Sequence, residues 1–176
     1  METLAANLLA IVNAAEPQLR KITAHDATAP LRDGAWSRKE ILGHLIDSAS
    51  NNHQRFVRAC LQDSLDFPGY DQNGCVRVQA PAAVDWNLLV SLWATYNRYL
   101  AHVIAQLPAS KLETPCRIGS GDPVPLRFLA EDYVRHLKHH LDQIGIPGKS
   151  LVAVLSSLEP LKEDLPAIAD SPVDPM

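Results

Sequence analysis

The sequence predicts an all-α fold, an antiparallel four-helix bundle with long connecting loops. Three observations carry that expectation. Four segments of roughly 20 residues place apolar side chains at helical intervals. The stretches between them hold the turn residues, and no segment alternates convincingly as a strand. Helices of similar length bury their apolar stripes most simply against one another. With 176 residues, 47% of them hydrophobic, the chain is long enough for one self-sufficient core.

The first helix is expected from about Glu2 to Thr23, with Leu4, Leu8, Ile11, Val12 and Leu19 on its stripe. His25 to Ala35 contains Pro30 and Asp33-Gly34 and reads as a loop. The second helix starts at Ser37-Arg38-Lys39-Glu40, a capping box in which the Ser hydroxyl serves an orphan N–H and the Glu reaches back. It runs to about Leu61. Phe67 to Gly74, with Pro68 and Gly69, then makes an irregular crossing. The third helix begins after Asp85, a good N-cap, and continues through Leu89, Trp93, Tyr96 and Leu100 to about Leu107. Pro115 to Pro123 is a loop with room for a short hairpin. The fourth helix opens at Pro125 or just after and stops before Gly145, a left-handed C-cap. Residues 1–147 thus form the bundle. Residues 148–176 form a C-terminal extension, with a short helix over Leu151 to Leu158 and a frayed tail.

Composition narrows the function classes. The formal net charge is -4 and the pI is near 5.9, with Lys and Arg scattered, so nucleic acid is not an expected partner. No apolar run approaches the ~20 residues of a membrane span, and the acidic N-terminus lacks the basic start of a leader. Cys60, Cys75 and Cys116 form neither a disulfide framework nor a CxxC zinc site. A soluble cytoplasmic protein with reduced thiols is the expectation.

The segment Glu131 to His140 concentrates three of the seven histidines. Side chains at i and i+4 on a helix lie one above the other, so His136 and His140 can grip one ion from a single face. At about 100° per residue, Leu126, Leu129, Tyr133, Leu137, Leu141 and Ile144 fill one buried arc. His136 sits on the edge of that arc, His140 just inside it, and His139 on the solvent side. Alone, such a pair is usually packing or an exposed cluster, so a third ligand is needed from another helix. The candidates are His25, His44, His53 and His102. His44 flanks the stripe of Ile41, Leu45, Ala49 and Phe56 and is preferred, with an ordinary boundary histidine as the alternative. His53 lies on the opposite side of that helix among Asn51, Asn52, Gln54 and Arg55, which suits a solvated or loop-facing role.

Trp36-Ser37, the run Gly43-His44-Leu45-Ile46-Asp47-Ser48 and the late His136-x-x-His139-His140 resemble signatures of the DinB superfamily, particularly its YfiT-like branch. The resemblance covers about residues 1–147. It implies a four-helix bundle that binds nickel or zinc through His44, His136 and His140, the trio the helical wheel also prefers. Some relatives carry a further histidine where this chain has Gly43. The resemblance also implies a small-molecule substrate, a homodimer, and one of two activities: metal-dependent hydrolysis, or transfer of a low-molecular-weight thiol such as bacillithiol or mycothiol. A non-enzymatic metal-binding or stress-response bundle is the alternative. Asp47 is the candidate catalytic residue, placed to orient a water or a neighbouring ligand. Gln143 and Asp132 are candidates to hydrogen-bond a free ring nitrogen. Three imidazoles leave coordination positions open, the pattern of catalytic rather than structural sites. An all-nitrogen donor set does not choose among zinc, nickel, copper and iron.

Overall fold

The computed structural model describes residues 1–146. The expected short helix over Leu151 to Leu158 and the whole extension from residue 148 lie outside the described residues. Four long helices make the bundle: α1 (Glu2–Leu19), α3 (Arg38–Cys60), α5 (Trp86–Ala105) and α6 (Leu126–Ile144). α1 and α3 each pack on both α5 and α6, so α1 and α3 face one another across the diagonal. The chain therefore crosses the bundle between its first two long helices and again between its last two, which accounts for the long connections. Leu8, Leu19, Leu42, Leu45, Phe56, Trp93, Leu100 and Leu137 fill the centre. Burial at these sites removes apolar surface from water at about 25 cal/mol per Å². Among the described residues no helix is long and apolar enough to cross a membrane.

The start signals act as the sequence predicts. Ser37 Oγ accepts from Glu40 N while Glu40 Oε2 accepts from Ser37 N at 2.7 Å. Asp85 caps α5 by accepting from Leu88 N at 2.9 Å. Gly145 closes α6 with φ 97°, a left-handed value that favours glycine. Arg38 pins the start of α3 to the end of α6, donating from Nε to Ile144 O at 3.0 Å. That bond fixes the two helices as antiparallel neighbours.

The connections hold more structure than the sequence reading expected. α1 ends at Leu19 rather than Thr23, and α2 (Ala24–Thr28), capped by Thr23, occupies part of the expected loop. The crossing after α3 contains β1 (Leu65–Phe67) and α4 (Gln72–Gln79), the latter capped by Asp71. The expected hairpin is present as β2 (Pro115–Ile118) and β3 (Val124–Pro125). β1 pairs in parallel with β2, with Leu65, Asp66 and Phe67 opposite Cys116, Arg117 and Ile118. This small sheet binds the two crossings together, and Gly119 N donates to Phe67 O at 2.9 Å. The three cysteines are free, and burial raises each thiol pKa, that of Cys116 to about 11.

Candidate metal centre

The site begins with α3. Seven residues from its start stands His44, fully buried with its ring 5.3 Å from that of Trp36. The preceding Gly43 lets the turn at Pro81–Ala83 approach α3. A Cβ on Gly43 would lie 2.7 Å from Pro81 Cβ, so a larger side chain has no room here. The buried Lys39 fastens the same turn by donating to Ala82 O at 3.0 Å.

Across the groove, α6 supplies His136 and His140. The Nε2 atoms of His44 and His136 are 3.2 Å apart, and those of His136 and His140 3.0 Å apart. Among the described residues these three histidines form the one group of His, Cys, Asp or Glu whose ligand atoms converge within 4.8 Å. The outward ring nitrogens of two of them are engaged. Ser48 Oγ stands 3.5 Å from His136 Nδ1, and Gln143 Oε1 accepts from His140 Nδ1 at 2.8 Å. Donation at Nδ1 leaves His140 Nε2 as a bare lone pair facing the cluster.

Electrostatics decide what such a cluster can hold. Burial, then the neighbouring rings, push His44 down to about 3. Burial likewise pushes His140 down to about 4, against a smaller opposing effect of the Gln143 bond. Near neutral pH both rings are uncharged, so each is able to offer a nitrogen lone pair to a cation. A proton is disfavoured by the same burial. With metal–nitrogen bonds of ~2.0–2.1 Å, ligand nitrogens stand about 3.0 Å apart at right angles and about 3.4 Å apart in a tetrahedron. The two separations from His136 Nε2 fall within that interval and all three ligand atoms lie within 4.8 Å of one another, so the three residues fit a divalent ion and leave it open positions.

The other sequence candidates lie elsewhere. His139 is exposed, its Nε2 3.0 Å from Gln143 Nε2. His53 meets Tyr96 Oη at 3.1 Å on the α5 side. His25 and His102 are exposed. Asp47 Oδ1 accepts from Gln79 Nε2 at 2.7 Å, tying α3 to α4, and burial raises its pKa. Asp132 bonds Arg135 and lines the cavity described next.

A cavity of about 160 Å³ adjoins His136 and is bordered by Ser48, Asn52, Arg55, Tyr70 and Tyr133. Asn52 and Arg55, polar neighbours of His53 in the sequence, are buried (8% and 9% exposed). His44, Ser48, Asn52 and Arg55 fall within roughly 80° of one another on the helical wheel, a signal available in the sequence. They form one polar stripe: Asn52 Nδ2 donates to Ser48 O at 2.9 Å, and Arg55 Nη1 to Asn52 Oδ1 at 3.4 Å.

Fold and site together define a helical bundle with an open three-imidazole cluster suited to a divalent metal. The chain belongs to the DinB superfamily, whose family model matches residues 2–144. It is 25% identical over 132 residues to a Bacillus pumilus (strain SAFR-032) protein named "Putative metal-dependent hydrolase", a match covering 73% of this chain and 74% of that one. Its fold matches that of YfiT from Bacillus subtilis, described as a probable metal-dependent hydrolase with an unusual four-helix bundle topology. That match has a TM-score of 0.70 at 19% identity and covers 88% of this chain and 87% of YfiT.

Proposed function

We propose that this protein is a metal-dependent hydrolase acting on a small molecule, with zinc or nickel held by Nε2 of His44, His136 and His140. The observation that carries the reading is that His136 Nε2 lies 3.2 Å from His44 Nε2 and 3.0 Å from His140 Nε2, with a ligand atom of each residue within 4.8 Å of the others. A divalent ion held there supplies Lewis-acid polarisation and lowers the pKa of water toward ~7. The chain's own residues hold the two rings from α6 in place through Ser48 and Gln143, and burial keeps His44 and His140 neutral. The cavity beside His136 offers room for a substrate. Asp47, engaged with Gln79, enters this reading as a residue positioning α4 rather than as a catalytic group.

The names of the two relatives support hydrolysis. Transfer of a low-molecular-weight thiol is the second reading, because the open all-nitrogen site also accepts a sulfur donor. Cobalt-substituted protein discriminates the two: hydrolysis predicts turnover of simple esters or amides, and thiol transfer predicts a charge-transfer band on titration with thiols. Neither response would leave a non-enzymatic metal-binding bundle. We further infer a cytoplasmic homodimer, supported by the exposed Leu88, Leu92 and Tyr99 on α5 and testable by sedimentation equilibrium.

A further inference from the structure

We propose that the cavity beside His136 binds a small uncharged carbonyl compound, an amide or ester, through the hydroxyl of Ser48. This deepens the proposed function, since it names the class of molecule the same site would take. Ser48 borders the cavity and is 3% exposed, yet both hydrogen bonds of its Oγ are long. Asn52 Nδ2 donates to it from 3.4 Å, and His136 Nδ1 stands 3.5 Å away. Well-formed bonds of these kinds measure roughly 2.7–3.2 Å. Coordination of a metal through His136 Nε2 requires the ring proton on Nδ1, where it donates to Ser48. Asn52 and His136 then both give protons to Oγ, and the hydroxyl keeps its own proton for a third partner. With the ring proton on Nε2 instead, the hydroxyl reaches its acceptor only at 3.5 Å, beyond the ordinary range. In either state a ligand oxygen offers this buried donor a better bond than the protein does.

Charge and volume set the class. Arg55 and Asp132, which bring one charge of each sign to the cavity wall, are both engaged within the protein. Arg55 donates to Asn52 Oδ1 and lies over the Phe67 ring, and Asp132 bonds Arg135. An ionised ligand would therefore lose its hydration without meeting an open counter-charge. An uncharged carbonyl loses far less, and the Ser48 hydroxyl replaces one of its bonds to water. Ile118 and Leu129 on the same wall accommodate a short hydrocarbon chain. A volume of about 160 Å³ compares with the ~150 Å³ that admits one benzene ring, so the molecule is small. Because Ser48 also meets His136, the carbonyl is held beside a ring of the metal centre.

The test is a titration of metal-free protein with propanamide, propanoate and propylammonium, followed by nuclear magnetic resonance of labelled methyl groups. Working without metal removes direct coordination of a carbonyl or carboxylate as an explanation. Propanamide is expected to shift the Ile118 and Leu129 methyl resonances and to bind at least about tenfold more tightly than either ion. Ser48→Ala is expected to weaken propanamide binding by about threefold to tenfold, the loss of one hydrogen bond. Should Ser48→Ala fail to fold, the ranking of the three ligands by the wild type and the methyl shifts carry the test. Either ion binding as tightly as propanamide would overturn the proposal. So would shifts that miss Ile118 and Leu129, no binding of propanamide, or undiminished binding by a folded Ser48→Ala. Zinc stoichiometry measured on separate samples tests the metal reading, so either idea can fail while the other stands.

Discussion

His44 and His136 stand 92 residues apart in the chain, yet their Nε2 atoms lie 3.2 Å from one another. Arg38 ties the start of α3 to the end of α6, which keeps the two histidine-bearing helices side by side. The burial of His44, shared by His140 on α6, carries consequences for stability as well as for binding.

The first consequence concerns pH. His44 and His140 are held at about 3 and about 4, below the ordinary value of 6.5 that the unfolded chain regains. Between those values the unfolded chain binds more protons than the folded one, so stability rises with pH. The metal-free protein should be fully stabilised above 6.5 and lose stability as the pH falls toward 4. Urea midpoints measured from about pH 7.5 down to about pH 4.5 should therefore decline, and an unchanged midpoint would count against buried neutral rings.

Gln143→Leu should lower metal affinity by roughly 10–100-fold, because the acceptor fixing the His140 tautomer is lost. The fold should be unaffected. Competition against a chromophoric chelator measures the affinity, and circular dichroism reports the fold. A variant binding zinc as well as wild type would remove the orienting role from Gln143.

Gly43→Ala sets two effects against each other. Alanine in a helix interior is worth up to ~1 kcal/mol over glycine. Its Cβ, however, would meet Pro81 Cβ at 2.7 Å and Pro81 Cγ at 2.8 Å, in a ring that cannot rotate away. Overpacking of this kind costs about 1–3 kcal/mol, so net destabilisation of about 1–2 kcal/mol is expected. Pro81→Gly, which removes both Cβ and Cγ, should relieve Gly43→Ala in a double-mutant cycle read by urea denaturation. Additive effects would contradict the close approach.

Tyr133 Oη donates to Asn97 Oδ1 at 2.5 Å inside the bundle, and burial raises the phenol pKa. Tyr133→Phe leaves that amide oxygen without its donor and should cost about 1–3 kcal/mol in urea denaturation.

The sequence made the bundle legible wherever a local rule had a local cause. The capping box at Ser37, the Asp85 cap and the Gly145 stop each depend on one or two neighbouring residues. His136 and His140 were legible from their spacing, and His44 from its place beside an apolar stripe. β1 was not, since three residues carry no period and its pairing with β2 is fixed only by the folded crossings. α4 was hidden by Gly74 and the β-branched Val76 and Val78, which disfavour helix. Asn52 and Arg55 served the sequence reading only as polar neighbours of His53, although their helical angle from His44 already placed them on the inner face.

Metal stoichiometry tests the central claim most directly. Protein prepared without metal would be reconstituted with zinc, and bound metal measured by elemental analysis and calorimetry for the wild type and five histidine variants. The wild type should take up one ion per chain, while His44→Ala, His136→Ala and His140→Ala each lose stoichiometric binding and His139→Ala and His53→Ala keep it. Undiminished binding in the first three variants, or none in the wild type, would contradict the account.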